Sequence, residues 1–249
     1  MTAPFPTRKA EAWRYADLDA LRAVWDDLEP PRRIVVPAGE KHWHVLLPTE
    51  EPIQVRRAEI TLEAGAELAI FALNTASEYG RIELDVSLHE GASFTFDGAN
   101  IGGGSSTNEI VTSVRHLEPN GVSRQYVRSV LAGTATGSYL GKVAVARGAQ
   151  QTDGEQSVKA MLLDRGATAN CKPELEIYAD DVKCAHGASV GELDPNQLYY
   201  AMSRGLDPAS AKALLLEGFV LELWDGIEDE AQREAMVEAS RAALRSVVA

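Results

Sequence analysis

The chain has 249 residues, enough for one large buried core with smaller appendages. Its 45% hydrophobic and 24% charged residues are ordinary for a globular protein, and no apolar run nears the ~18 residues needed to span a bilayer. With 37 acidic residues against 24 basic ones the formal net charge is −13, which argues against nucleic-acid and anionic-membrane binding, since both depend on clustered Lys and Arg.

Met1 to Pro6 lack the basic-then-apolar layout of a secretory signal, so a cytoplasmic location is expected. Apolar side chains at Trp13, Leu18, Leu21, Trp25 and Leu28 then recur near helical spacing and predict a helix within residues 7–28. Thr7 is its candidate cap, with Glu11 in the first turn complementing the exposed amide dipoles. Pro30-Pro31 ends it, because proline has no amide hydrogen and restricts the residue before it.

From Ile34 to Gly191 the period becomes two, as in Trp43–Leu47, Glu67–Phe71 and Arg81–Leu88. Between such segments recurs a glycine corner: Glu63-Ala64-Gly65-Ala66, His89-Glu90-Gly91-Ala92, Pro119-Asn120-Gly121-Val122, Ala146-Arg147-Gly148-Ala149, Asp164-Arg165-Gly166-Ala167 and Ala185-His186-Gly187-Ala188. Its glycines stand 26, 30, 27, 18 and 21 residues apart. Glycine there would permit positive φ. Repeats of this length are the mark of stacked coils, none of which buries its apolar face alone. A β-sandwich, the alternative, would turn every ~8–12 residues without a Gly-Ala corner at each long interval. A parallel β-helix with imperfect coils is expected.

Helices return after Gly191. Asp194-Pro195 and Asp207-Pro208 each pair a capping aspartate with proline at the first helical position, and Gly205 sits where a helix C-terminal glycine belongs. In the second of these helices Leu214, Leu215, Leu216, Phe219, Val220, Leu221, Leu223 and Trp224 cover more than one face. Two explanations stay open: burial between the solenoid and a last helix over Glu228–Val248, or a surface for a partner. The boundaries expected are therefore an N-terminal helical segment, 1–30, a β-helix core, 31–192, and a C-terminal helical subdomain, 193–249.

The two cysteines, Cys171 and Cys184, cannot make a disulfide framework and in a reducing compartment stay as thiols. Cys184 and His186 are two apart in a strand expected over Asp180–His186, so both side chains share one face, with Lys183 and Ala185 on the other. A thiolate and an imidazole on one face suit zinc, iron or a sulfide cluster. They supply only two ligands, and Cys171 is a possible third. Taken alone, the pair is better explained as a buried cysteine beside a hydrogen-bonded histidine. If it is a site, a partner must complete it.

Other candidates favour structural roles. His42 and His44, flanked by Glu40, fit one face of an edge strand; His89 and His116 stand alone near turns. Asn100–Ser106 is glycine-rich but lacks the Lys and following helix of a phosphate loop, so it is expected as a flexible turn between coils. No nucleophile elbow occurs, and Asp180-Asp181 fits a solvated strand end.

The run Leu175–Gly191, continuing through Leu193-Asp194, Leu198-Tyr199-Tyr200 and Ser203-Arg204-Gly205-Leu206, resembles the SufB/SufD family of iron–sulfur cluster scaffold proteins. Gly148–Asp153, Gln156, Leu162-Leu163 and Pro173–Ile177 fit it upstream, and Pro6–Tyr15 is similar to its opening helix. Lys183-Cys184-Ala185-His186-Gly187 resembles the D subunit rather than the B subunit. The resemblance implies a right-handed parallel β-helix flanked by a short N-terminal helical segment and a C-terminal helical subdomain. It also implies a non-catalytic scaffold role beside SufB and the ATPase SufC. A transient cluster, or its iron, would lie at the interface with SufB on Cys184 and His186, with no cofactor held tightly by the isolated chain. SufB would pair through the β-helix. SufC would dock on the tail helices, giving Tyr199, Arg204, Leu214, Leu215, Phe219 and Val220 as partner-binding residues. A homodimer of the free chain stays open. The chain is short for the family, and Ala185 stands where serine is commoner, on the face opposite the ligand pair. The rivals are a β-helical enzyme acting on carbohydrate or an acyl group, which predicts activity from the isolated chain, and a homodimeric structural protein without metal dependence.

Overall fold

Alternation along the chain builds two flat walls facing each other. In the computed structural model, which describes residues 4–248, each wall is a parallel sheet of six strands. One sheet runs β1 (Arg32–Val36), β3 (Ile53–Leu62), β5 (Tyr79–Leu88), β7 (Thr107–His116), β9 (Thr136–Val145) and β11 (Thr168–Ile177). The other runs β2 (Lys41–Leu46), β4 (Glu67–Asn74), β6 (Ser93–Gly102), β8 (Val122–Leu131), β10 (Asp153–Leu162) and β12 (Lys183–Gly191). The chain passes from one wall to the other at every corner, so each successive pair of strands is one coil of a β-solenoid. Ile82, Leu84, Val86 and Leu88 of β5 point inward and are buried, while the residues between them are polar and face out.

The glycine corners hold for part of the series. Gly65 and Gly91 take φ +67 and +65, and their amides donate to the carbonyls of Glu90 and Pro119 in the next corner, at 2.8 and 2.9 Å. At Pro119–Gly121 the positive φ belongs to Asn120, and Gly121 makes room for His116, whose Nδ1 a Cβ there would approach to 2.6 Å. The shortened spacings also have a cause. Gly166 lies in the corner after β10, on the opposite edge of the solenoid from the corners at 65, 91, 121 and 148, and Gly187 lies inside β12 rather than in a corner. The corner expected at 185–188 is thus corrected: the chain turns at Asp180-Asp181, before β12, so those aspartates are a bend and not a strand end.

The helix expected within 7–28 is three pieces. A 3-10 turn, Glu11–Trp13, precedes α1 (Leu18–Val24), capped by Asp17 rather than Thr7, and a second 3-10 turn, Trp25–Asp27, follows. Asp17 accepts from the amides of Asp19 and Ala20 at 3.1 and 3.0 Å. At the other end α2 (Pro195–Ser203) and α3 (Pro208–Leu221) carry the expected caps: Asp194 accepts from Asn196 N at 2.8 Å, and Asp207 from Ala209 N at 3.0 Å and Ser210 N at 3.1 Å. A 3-10 turn, Glu222–Trp224, leads to α4 (Glu230–Val248). These helices cover the outer face of the even-numbered sheet, where Leu216, Val220, Trp224 and Met236 pack on Phe71, Leu73, Ile101 and Val130. Trp224 is fully buried and donates to Ser240 Oγ at 2.9 Å.

Candidate metal centre at the open end of the solenoid

The last coil has a neighbour on one side only. β11 pairs with β9 and β12 with β10, and beyond them the described residues add no further strand. Eight of the nine residues of β12 are exposed; only Cys184 is half-buried. Unpaired strand edges present free amides and carbonyls that invite pairing with another chain.

Register decides where the candidate ligands point. Cys184 stands over Gly154, and His186 over Gln156. Gln156 stands over Gln125 and Phe96, both buried inside the solenoid, so His186 lies on the inward side of its strand. Cys184 packs against the inner core, and a Cβ on Gly154 would sit 3.4 Å from its Sγ. Burial raises the Cys184 thiol above its ordinary value, the Gly154 amide acting weakly against it, and burial raises Cys171 too. Both are thiols at neutral pH, so binding a metal there must release their protons.

Cys171 faces the same opening from the opposite wall. It stands over Tyr139, whose hydroxyl meets Gln156 Oε1 at 3.0 Å, directly below His186. The Tyr139 hydroxyl also meets Gln125 Oε1 at 3.2 Å and Thr112 Oγ1 at 3.1 Å, and Gln156 Nε2 donates to Glu174 O at 3.1 Å. A hydrogen-bonded polar plug therefore floors the opening. Sequence reasoning missed it, because an inward glutamine leaves the same alternating pattern as an outward one. Gly141 supplies the space: a Cβ there would lie 2.2 Å from both Gln156 Oε1 and the Tyr139 hydroxyl. Gly141→Ala is expected to destabilise the chain by ~1–3 kcal/mol in urea unfolding, as overpacking does, and a neutral result would remove the plug.

The three candidate ligands are not drawn together. Among the described residues no three His, Cys, Asp or Glu side chains converge on a point that could hold a metal. Cys184 and His186 share a face, ~6.6 Å apart along the strand, and Cys171 looks toward them from the other wall. Three of the four remaining histidines have polar partners elsewhere in the fold. His116 is buried and bonded to Ser123 Oγ at 2.9 Å, His89 lies 3.4 Å from Glu118, and His42 lies 2.8 Å from Glu40.

The expected partner-binding residues divide. Val220 is fully buried on the chain's own sheet, and Phe219 is half-buried there beneath Arg128, so neither presents a free apolar face. Tyr199, Tyr200, Met202 and Leu214 are exposed, and α2 packs mainly on α3. A groove of about 470 Å³ between them is lined by Tyr200, Arg204, Leu206, Leu214 and Leu215. Arg204 donates to the Tyr200 hydroxyl at 2.9 Å.

A two-walled parallel solenoid, with cysteine and histidine at an open end and helices folded back on one wall, defines the class. The family model for the SUF system FeS cluster assembly SufBD core domain matches residues 38–219, and the chain belongs to that SufB/SufD family, on its SufD-like side. It is 35% identical over 133 residues to the iron–sulfur cluster assembly protein SufD of Escherichia coli, covering 52% of this chain and 31% of that protein. It is 32% identical over 156 residues to the SufBD family protein slr0076 of Synechocystis, covering 62% and 34%. It is 31% identical over 203 residues to the chloroplastic protein ABCI7 of Arabidopsis thaliana, covering 78% and 42%. The matched regions thus span less than half the length of these relatives. The family takes part in iron–sulfur cluster assembly. No helix among the described residues is long and apolar enough to cross a membrane.

Proposed function

We propose that this chain is a SufD-like scaffold subunit that assembles and passes on nascent iron–sulfur clusters in the cytoplasm with SufB and the ATPase SufC, and that it catalyses nothing itself. The cluster is cargo held between subunits. The observation that supports this reading most is the open last coil, where Cys184 and His186 make half a ligand set beside an unpaired strand edge. SufB would extend the solenoid across that edge and bring the remaining ligands. Cys171, on the facing wall, would be the third ligand this chain could offer.

The 31–192 solenoid would hold the cluster interface, and the 193–249 helices would receive SufC on Tyr199, Arg204, Leu214 and Leu215. Movement driven by ATP in SufC would reach the opening through Leu193, which packs with the helical core and precedes α2. Buried Val220 and half-buried Phe219 would transmit that movement rather than touch the partner.

The test is anaerobic co-expression of the three subunits with His186→Ala or the parent chain, followed by iron and sulfide analysis of the purified complex. The variant should lose most of its bound iron and sulfide. Unchanged content, with unchanged support of iron–sulfur enzymes, would remove His186 from the mechanism. A β-helical enzyme would instead act alone and bring neither SufB nor SufC through a pull-down.

A further inference from the structure

The opposite end of the solenoid is unfinished in a different way. β1 is five residues long and pairs only with Ala58–Leu62, so Ile53–Arg57 of β3 has no strand on that side. The segment around Leu28–Pro30 lies over the gap without filling it, leaving a cavity of about 550 Å³. That volume suits a small organic ligand, for which ~300–1,000 Å³ is usual. Its walls include Ile34, Leu46, Ile70, Ile82 and Leu84.

Beside Asp27, Glu29, Arg32 and Arg57 at its lining, two polar side chains come from inward-facing strand positions. Arg56 stands over inward-facing Ile82, so its guanidinium lies on the interior side of the wall. One of its N–H groups donates to Leu47 O at 2.5 Å, and among the described residues it has no carboxylate partner. Arg56 is half-buried, and that burial lowers its pKa from the ordinary value. His44 stands over Ile70 on the other wall, and its Nε2 is buried with no hydrogen-bond partner. Burial first, then nearby Arg32, holds that imidazole below its ordinary value, so it is neutral at pH 7 and can donate one hydrogen bond. Arg57, by contrast, is already engaged with Glu29 O at 2.8 Å, and Asp27 and Glu29 also line the cavity. A guanidinium without a carboxylate partner, an orphaned imidazole nitrogen and branched aliphatic walls together describe a receptor for an anion with a hydrocarbon body.

We propose that this cavity binds a small amphiphilic carboxylate of the medium-chain fatty-acid class, its carboxylate on Arg56 and His44 and its chain against Ile34, Leu46, Ile70 and Ile82. The site is at the far end of the solenoid from Cys184 and His186, and the inference does not depend on the scaffold reading. Isothermal titration of octanoate and of octanol into the whole chain tests it, with Arg56→Leu to remove the cation and Ile34→Trp to fill the space, each variant first shown to melt cooperatively. Octanoate should bind once per chain and ~10-fold or more weakly to Arg56→Leu, octanol should bind parent and Arg56→Leu within about twofold of each other, and Ile34→Trp should take neither. Absence of octanoate binding to the parent would overturn the proposal, as would equal octanoate affinity for Arg56→Leu or undiminished binding to Ile34→Trp.

Discussion

Arg81→Ala should destabilise the chain by ~3–5 kcal/mol, the cost of leaving a buried charge without its partner. Arg81 and Glu109 are both fully buried and 3.0 Å apart, on the outer face of the odd-numbered sheet beneath the N-terminal segment. The guanidinium also reaches Glu83 at 3.0 Å and Ala12 O at 2.8 Å, and it lies 3.7 Å from the Trp13 ring centroid. The Tyr79 hydroxyl donates to Glu109 at 2.7 Å. Burial works against the Arg81 charge, yet the two carboxylates outweigh it and hold its pKa above the ordinary value. Burial also raises Glu109, with Arg81 as the chief opposing influence. Without Arg81, Glu109 keeps its burial and loses that opposition, while Ala12 O loses its donor. The N-terminal segment should then become sensitive to protease at concentrations that spare the parent. Urea unfolding measures the loss, and a change below ~1 kcal/mol would show that the pair does not anchor the segment. Replacing both partners, as in Arg81→Met with Glu109→Leu, should recover most of the stability, because no charge is then left desolvated.

Asp97→Asn should have the opposite sign, and its effect should grow with pH. Asp97 is 9% exposed, between the even-numbered sheet and the C-terminal helices, and its Oδ1 has no hydrogen-bond partner. Burial pushes its pKa up to about 7, and Arg128 only partly opposes this. Between the ordinary carboxylate value and about 7 the folded chain holds a proton that the unfolded chain releases, so stability falls as pH rises through that window. The full loss is on the order of 4 kcal/mol above pH 7, at ~1.4 kcal/mol per unit. His116 runs the other way. Burial holds it down to about 4, so the unfolded chain binds the extra proton between that value and about 6.5, and stability rises with pH there. The two slopes largely cancel in the parent. The Asp97 contribution therefore emerges in the difference between Asp97→Asn and the parent, which should widen from near zero at pH 4 to its maximum above pH 7. A difference that stays flat across pH 4–8 would show that Asp97 ionises freely under the helices.

Much of the architecture was legible in the sequence because local rules carry it. Alternation set the strands, Asp194 and Asp207 marked helix starts by the hydrogen bonds their carboxylates make, and Gly65 and Gly91 marked corners by a φ that other residues avoid. The SufB/SufD resemblance rested on a run of residues long enough to survive errors in any one element. The misplaced corner at Gly187 shows the limit: a glycine in a strand and a glycine in a turn read alike until the strand's neighbour is known.

Cys184 and His186 could be placed on one face from their spacing alone, since a strand's side chains alternate whatever surrounds it. Which side that face turns to was settled only by register, which sets His186 above Gln156 and Cys171 above Tyr139, residues far apart in the chain. The half-buried Arg56 and the buried Asp97 were equally silent in sequence. Burial and partnership are properties of the packed walls and helices, and no pattern of neighbours along the chain encodes them.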